Sequence, residues 1–267
     1  MRYKIDHDLH IHSSLSLCSR DPEHNTASIL KYAEDFGLET ICLTDHFWDE
    51  RVEGAWSWYR SQDYAHVCQA LPLPRSEKVN FLFGVETELD KDLNLAITRE
   101  RYDSFDFVVI PTTHLHMESN IKEEDASSPE GRARAWLTRF DGVLNMDIPF
   151  YKTGIAHLTC TLIAEAHEDY LKVLELLPKE SLERLFSRAA SLGVGIELNR
   201  ASLDCEDDAE RELRLRPFRI AKAQGCKFYL GTDAHHPEHF IGAREVYERV
   251  IDDLSLTEEH KFHIRSK

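Results

Sequence analysis

Nowhere in the 267 residues does an apolar run approach the roughly 20 residues that a membrane helix needs. No apolar segment follows Met1-Arg2-Tyr3-Lys4-Ile5-Asp6 either, so no secretory signal is expected. The six cysteines, at 18, 42, 68, 160, 205 and 226, contain no CxxC pair and no framework spacing. That argues against a disulfide scaffold and predicts reduced thiols in a soluble, cytoplasmic protein. Positive charge is scarce: 32 Lys and Arg stand against 48 Asp and Glu, a net charge of −16. An extended nucleic-acid surface, which depends on Lys and Arg, is therefore not expected. Bound metal lies outside this count, and cations gathered at one point let an acidic protein attract an anionic substrate locally. Repeats and low-complexity tracts are also absent.

What is present is an alternation of β-branched apolar runs with helical patterns, and 42% hydrophobic content is enough for one large core. Strands are predicted at Ile5–Leu9, Thr40–Leu43, Asn80–Val85, Phe107–Ile110, Gly154–His157, Val194–Leu198 and Lys227–Gly231. Helices are predicted at Thr26–Phe36, Glu130–Phe140, Glu180–Leu192, Arg211–Gln224 and Ala243–Leu254, three of them stopped by Gly37, Gly193 and Gly225. Repeated βα units imply a parallel sheet, and about seven strands suit an α/β protein with a closed or distorted TIM-like barrel. Such barrels keep their active site at the C-terminal strand ends. A single domain over residues 1–267 is the expectation.

The chemistry sits at those ends. Asp8-Leu9-His10-Ile11-His12 follows the first apolar segment and Gly231-Thr232-Asp233-Ala234-His235 the last. Thr44-Asp45-His46, Gly84-Val85-Glu86, Thr113-His114 and Ala156-His157 come between them, each after a short apolar run. Imidazoles and carboxylates in this arrangement suit zinc, manganese or iron. His10 and His12, two apart on a strand, share a face; Asp8, in phase with them, is expected to orient one of the rings. His7 is out of phase and expected at the surface. Glu86 is placed to bridge two metals, with Glu88 a lesser candidate. Read alone, His46, His114 and His157 are each compatible with a structural histidine; together the residues favour a metal cluster. Asp233 and His235 again share a face. Two regions after candidate ligands, from Phe47 to Ser76 with its Trp48, Trp56, Trp58, Tyr59 and Tyr64, and from Met117 to Ser128, are either walls over the site or ordinary packing.

The series DxHxH, TDH, GxE, a lone His, AH and GxDAH resembles the PHP superfamily of polymerase-linked domains and histidinol phosphatases, from Asp8 to about Gly242. The length and the ending Gly-Thr-Asp-Ala-His-His-Pro-Glu-His-Phe-Ile-Gly look like the histidinol-phosphate phosphatase branch. The resemblance implies a distorted seven-stranded barrel holding two or three divalent ions. By it, His10, His12, Glu86 and Asp233 hold the first ion and Glu86, His114 and His157 the second. His46 and His235 hold a third, with a loop residue that is often His in the family and here is Cys18. A thiolate is a competent zinc ligand, so either that site is kept with altered preference or the third ion is weak or absent.

The expected reaction is hydrolysis of a small phosphomonoester such as histidinol phosphate, by a metal-bridging hydroxide that Asp233 orients, with His235 assisting. A phosphate dianion also favours a cationic partner. Arg200, at the end of Ile196-Glu197-Leu198-Asn199-Arg200, is the first choice, ahead of Arg20 and Arg244; Asn199 is a further substrate candidate. Two other functions fit the class less well: a phosphodiesterase or exonuclease acting on nucleotides or short oligonucleotides, and a non-catalytic metal-binding module. An amidohydrolase barrel also opens with HxH but needs a later lysine or paired histidines, which are not found. Oligomeric state is not legible.

Overall fold

The computed structural model describes residues 1–264. Its strands are β1 (His7–Ile11), β2 (Thr40–Leu43), β3 (His46–Phe47), β4 (Asn80–Phe83), β5 (Val85–Thr87), β6 (Val108–Pro111), β7 (Thr153–Ala156), β8 (Gly195–Asn199) and β9 (Lys227–Gly231). The helices are α1 (Thr26–Phe36), α2 (Tyr64–Val67), α3 (Glu123–Ala126), α4 (Pro129–Leu144), α5 (His167–Leu176), α6 (Lys179–Leu192), α7 (Arg200–Leu203), α8 (Asp208–Ala223) and α9 (Ala243–Asp253).

Every pairing between these strands is parallel, in the orders β1-β2-β4 and β3-β5-β6-β7-β8-β9. Where about seven strands were expected, nine in two sheets are found among the described residues. The expected Asn80–Val85 strand is interrupted at Gly84 between β4 and β5, and an unforeseen short β3 follows β2 after Thr44 and Asp45. A Cβ at Gly84 would lie 2.4 Å from Phe107 O, so the neighbouring strand approaches only because glycine is there. At the strand ends β1 and β9 also meet: Asp233 N–H donates to His10 O and His12 N–H to Ala234 O, at 2.7 and 3.0 Å.

Helix α1 has the predicted bounds because both ends are signalled locally. The Asn25 side chain accepts from Ala27 and Ser28 N–H, and Gly37 takes the left-handed conformation after the last turn. Helix α5 was not foreseen, although Tyr170, Val173 and Leu174 bury its inner face at helical spacing. The main core fills the space between sheets and helices around Trp136, Phe140, Phe186 and Phe218. A smaller cluster of Leu9, Cys42, Phe107, Val109, Ala156 and Tyr229 packs among the strands. Among the described residues no helix is long and apolar enough to cross a membrane.

Candidate metal centre

Six strand ends deliver side chains to one buried cluster. His10 Nε2 and His12 Nε2 lie 3.1 Å apart, and Asp233 Oδ1 lies 3.5 and 3.1 Å from them. Glu86 reaches both sides. Its Oε1 is 3.6 Å from His10 Nε2 and 3.5 Å from His157 Nε2, while Oε2 is 3.5 Å from His12 Nε2 and 2.8 Å from His46 Nδ1. His114 Nε2 lies 3.1 Å from His157 Nδ1. Ligand atoms therefore gather in overlapping sets: His10, His12 and Glu86; Glu86, His114 and His157; His12, His46 and His235. Two of the backbones are strained to achieve this, with positive φ of 64° at His157 and 54° at Asp233.

The rings are held from behind. The His10 Nδ1–H donates to Glu197 Oε1 at 2.6 Å, and the His114 Nδ1–H to Glu88 Oε2 at 2.8 Å. His12 Nδ1–H donates to Ser16 Oγ, whose own hydroxyl donates to Asp45, and His235 Nδ1–H donates to Asp233 O. Each bond fixes the tautomer that turns Nε2 toward the cluster. Glu197 was missed as an orienting group, and Asp8 was expected in its place. Between Asp8 and Ile11, β1 advances three residues against two on β2, so the alternation of faces slips. Asp8 then accepts from the Thr232 N–H and hydroxyl instead of reaching a ring. His7, expected at the surface, is buried at the far end, bonded to Asp6 and the Leu230 N–H. The signal for Glu197 was visible: a carboxylate inside Gly-Ile-Glu-Leu-Asn, a strand buried along its whole length, requires a partner.

Several atoms at the centre have no hydrogen-bond partner although buried: Glu86 Oε1 and Oε2, His46 Nδ1, His157 Nε2 and Asp233 Oδ1. Buried polar atoms left without partners call for an explanation, and this set, converging on shared points, matches the donor preferences of divalent cations. Burial opposes charge on Glu86, but His46 and His10 hold it well below the usual carboxylate range. Burial likewise opposes protonation of His10 and His46, yet Glu197, Asp233 and Glu86 raise the first and Glu86 with Cys18 the second. Burial lowers His12 and His157. A cation entering the cluster must therefore displace protons from His10 and His46. Apparent zinc affinity is expected to fall as pH is lowered from about 8 to about 6, with protons released on loading. Competition titrations across that range measure it; a flat profile would contradict this proton-displacement account.

A sequence profile of the PHP domain matches residues 8–201. The chain belongs to the PHP domain family. Histidinol phosphate phosphatase from Lactococcus lactis subsp. lactis Il1403, solved with zinc, L-histidinol and phosphate, shares the fold at TM-score 0.65 and 19% identity. That similarity covers 97% of this chain and 98% of that one. A Listeria monocytogenes protein assigned as a histidinol phosphatase gives TM-score 0.59 at 14% identity, over 90% of this chain and 99% of the other. No curated protein matches the sequence.

In this PHP domain the cluster opens into a cavity of about 460 Å³ lined by Cys18, Trp56, Trp58, His116, Met117, Glu118 and Leu162 beside the ligand histidines. The aromatic segment divides: Trp48 and Tyr59 are packed against Ala96, whereas Trp56 and Trp58 face the cavity, Trp58 edge-on to His46. His116 and Leu162 were not foreseen: His116 lies in a turn after β6, and Leu162 in a single 3-10 turn after β7. The expected arginines are elsewhere. Arg200 donates to Ile241 O and pairs with Asp204 at 3.4 Å, because a helix starts at that residue and carries its side chain toward the turn before α9. Arg244 donates to Phe36 O in a separate groove with Tyr32 and Phe240, and Arg20 sits exposed in its turn. The Asn199 Oδ1 caps α7 through Ser202. Among the described residues no Lys or Arg lines the cavity.

Proposed function

We propose that this PHP domain is a metal-dependent phosphatase for a small phosphomonoester, histidinol phosphate or a similar compound. On this reading the described residues, 1–264, form one distorted seven-stranded (β/α) barrel, counting β2 with β3 and β4 with β5 as single interrupted strands. The observation that carries the proposal is the buried convergence of unpartnered Glu86, His157 and Asp233 atoms on shared points. Zinc, manganese and iron all accept such donors. Two or three such ions, when bound, supply an acidified water and charge stabilisation at phosphoryl oxygens.

The residues then divide the work. Glu86 holds the inner sets together from both carboxylate oxygens, with His10, His12 and Asp233 on one side and His114 and His157 on the other. His46 and His235, with Cys18, hold a third position at the mouth. Asp233 Oδ1 faces both His10 and His12 without a hydrogen bond, which supports the reading that it would orient the attacking water. His235 lines the cavity wall, which supports a role for it in meeting the phosphate or the leaving oxygen. The Lactococcus neighbour, which holds histidinol and phosphate, supports a small phosphorylated substrate. Among the described residues no arginine lines the walls, so bound ions would supply the positive charge that meets the dianion.

Elemental analysis of purified protein, coupled to phosphate release from histidinol phosphate, nucleoside monophosphates and diesters, tests the proposal. Release from at least one monoester, dependent on bound metal, is the expected result. Protein with a full complement of metal that releases phosphate from no monoester would end it; cleavage of diesters alone would move the activity to phosphodiester substrates.

A further inference from the structure

Arginine is rarely buried unless it is paired, yet Arg139 is only 2% exposed, on the inner face of α4 among Ala135, Trp136, Phe140 and Val143. Its five N–H donors meet five acceptors. Nε donates to Thr112 O at 2.8 Å, Nη1 to Asn120 O and Asp90 O at 2.6 and 3.1 Å, and Nη2 to Leu89 O at 2.8 Å. The last contact is an ion pair with Glu88 Oε1 at 3.4 Å.

These acceptors are not scattered. Thr112 and Asn120 bracket the loop that carries His114 and the cavity residues His116, Met117 and Glu118, so one guanidinium holds both ends of it. Glu88, fully buried, is fixed from its other sides as well. Its Oε1 also accepts from the Leu89 N–H at 2.9 Å, and Oε2 accepts from the Tyr59 hydroxyl at 3.0 Å and from His114 Nδ1–H at 2.8 Å. The carboxylate cannot rotate without breaking several of these bonds, and His114 Nε2 stays turned toward His157.

We propose that Arg139 and Tyr59 form a cradle that positions His114 through Glu88, and that this cradle sets the ion affinity of the Glu86, His114 and His157 set. Both act through Glu88 rather than on an ion, so they are positioning residues. The proposal rests on the metal reading above and adds which remote groups govern one of its ions. Partners that orient a ligating imidazole from behind alter metal affinity when they are removed. Lysine is a poor substitute for Arg139, because three donors on one nitrogen cannot span carbonyls from three chain segments as a planar fork does.

Zinc competition titrations on the full chain test it, with Arg139→Lys, Tyr59→Phe and Arg214→Lys as a control. Arg214 is also buried, but it lies on α8 and donates to Ser202 O and Glu210. In Arg139→Lys and Tyr59→Phe one zinc should bind roughly 10–100-fold more weakly, while Arg214→Lys keeps the parental affinity. Parental zinc affinity in a folded Arg139→Lys, or an equal loss in Arg214→Lys, overturns the cradle and leaves the metal reading intact. If Arg139→Lys does not fold, Tyr59→Phe decides, since it removes a single hydroxyl: weaker zinc binding supports the cradle and parental affinity overturns it. A parent chain that binds no zinc overturns both.

Discussion

Glu86→Ala is expected to lower phosphatase turnover by at least roughly 10³-fold, which corresponds to about 4 kcal/mol of lost transition-state stabilisation. The reason is position. Its Oε1 faces His10 and His157 while Oε2 faces His12 and His46, so a single side chain faces ligands from three other strand ends. Removing it leaves several neutral imidazoles to bind mutually repelling cations without the carboxylate between them. Metal content should fall with activity, and elemental analysis reads this directly. Glu86→Gln separates charge from volume, because it fills the same space without the negative charge. If Gln is as damaging as Ala, loss of the charge is responsible. His12→Ala should also lose turnover and bound metal while most of the fold survives. Full activity and full metal content in either alanine variant would defeat the ligand assignment.

Glu197→Ala should weaken zinc binding by roughly 10–100-fold although Glu197 need not touch the ions. Its Oε1 accepts from His10 Nδ1–H at 2.6 Å and its Oε2 from the His157 N–H at 2.9 Å. Alanine strands both donors in a fully buried place, and each unsatisfied donor costs about 1–3 kcal/mol. Chemical denaturation of the metal-free protein should therefore report a loss of a few kcal/mol, while zinc competition reports the affinity change. Gly231→Ala offers an independent route to the same damage. A Cβ there would lie 2.2 Å from Glu197 Oε1 and 2.7 Å from His10 Cβ, so the carboxylate must shift. Combining the two substitutions should give much less than the sum of their effects, since the second then displaces a group already gone. Strict additivity in that double-mutant cycle, or wild-type zinc affinity in Glu197→Ala, would remove Glu197 from the support of the cluster.

The two variants divide along the line between what is readable in a chain and what is not. His10, His12, Glu86 and Asp233 stood out because each follows an apolar run, and strand ends in a parallel α/β sheet point to one place. Local patterns of apolar residues and helix caps carry that information, which is why α1, β2 and β9 have their predicted bounds. Contacts between distant segments carry none of it. The slip in β1 that turns Asp8 to Thr232, the helix start that swings Arg200 to Ile241, and the partition of Trp48 from Trp58 depend on what packs opposite.

From the amino-acid order alone came the ligand types, the parallel α/β architecture and the end of the sheet at which the ligands gather. Tertiary structure alone decided which carboxylate braces each imidazole, and that among the described residues no arginine lines the cavity. The physical reason is range. Strand and helix periodicity arise from bonds within a few residues, whereas a hydrogen bond between His10 and Glu197 spans 187 positions and exists only once the strands have packed.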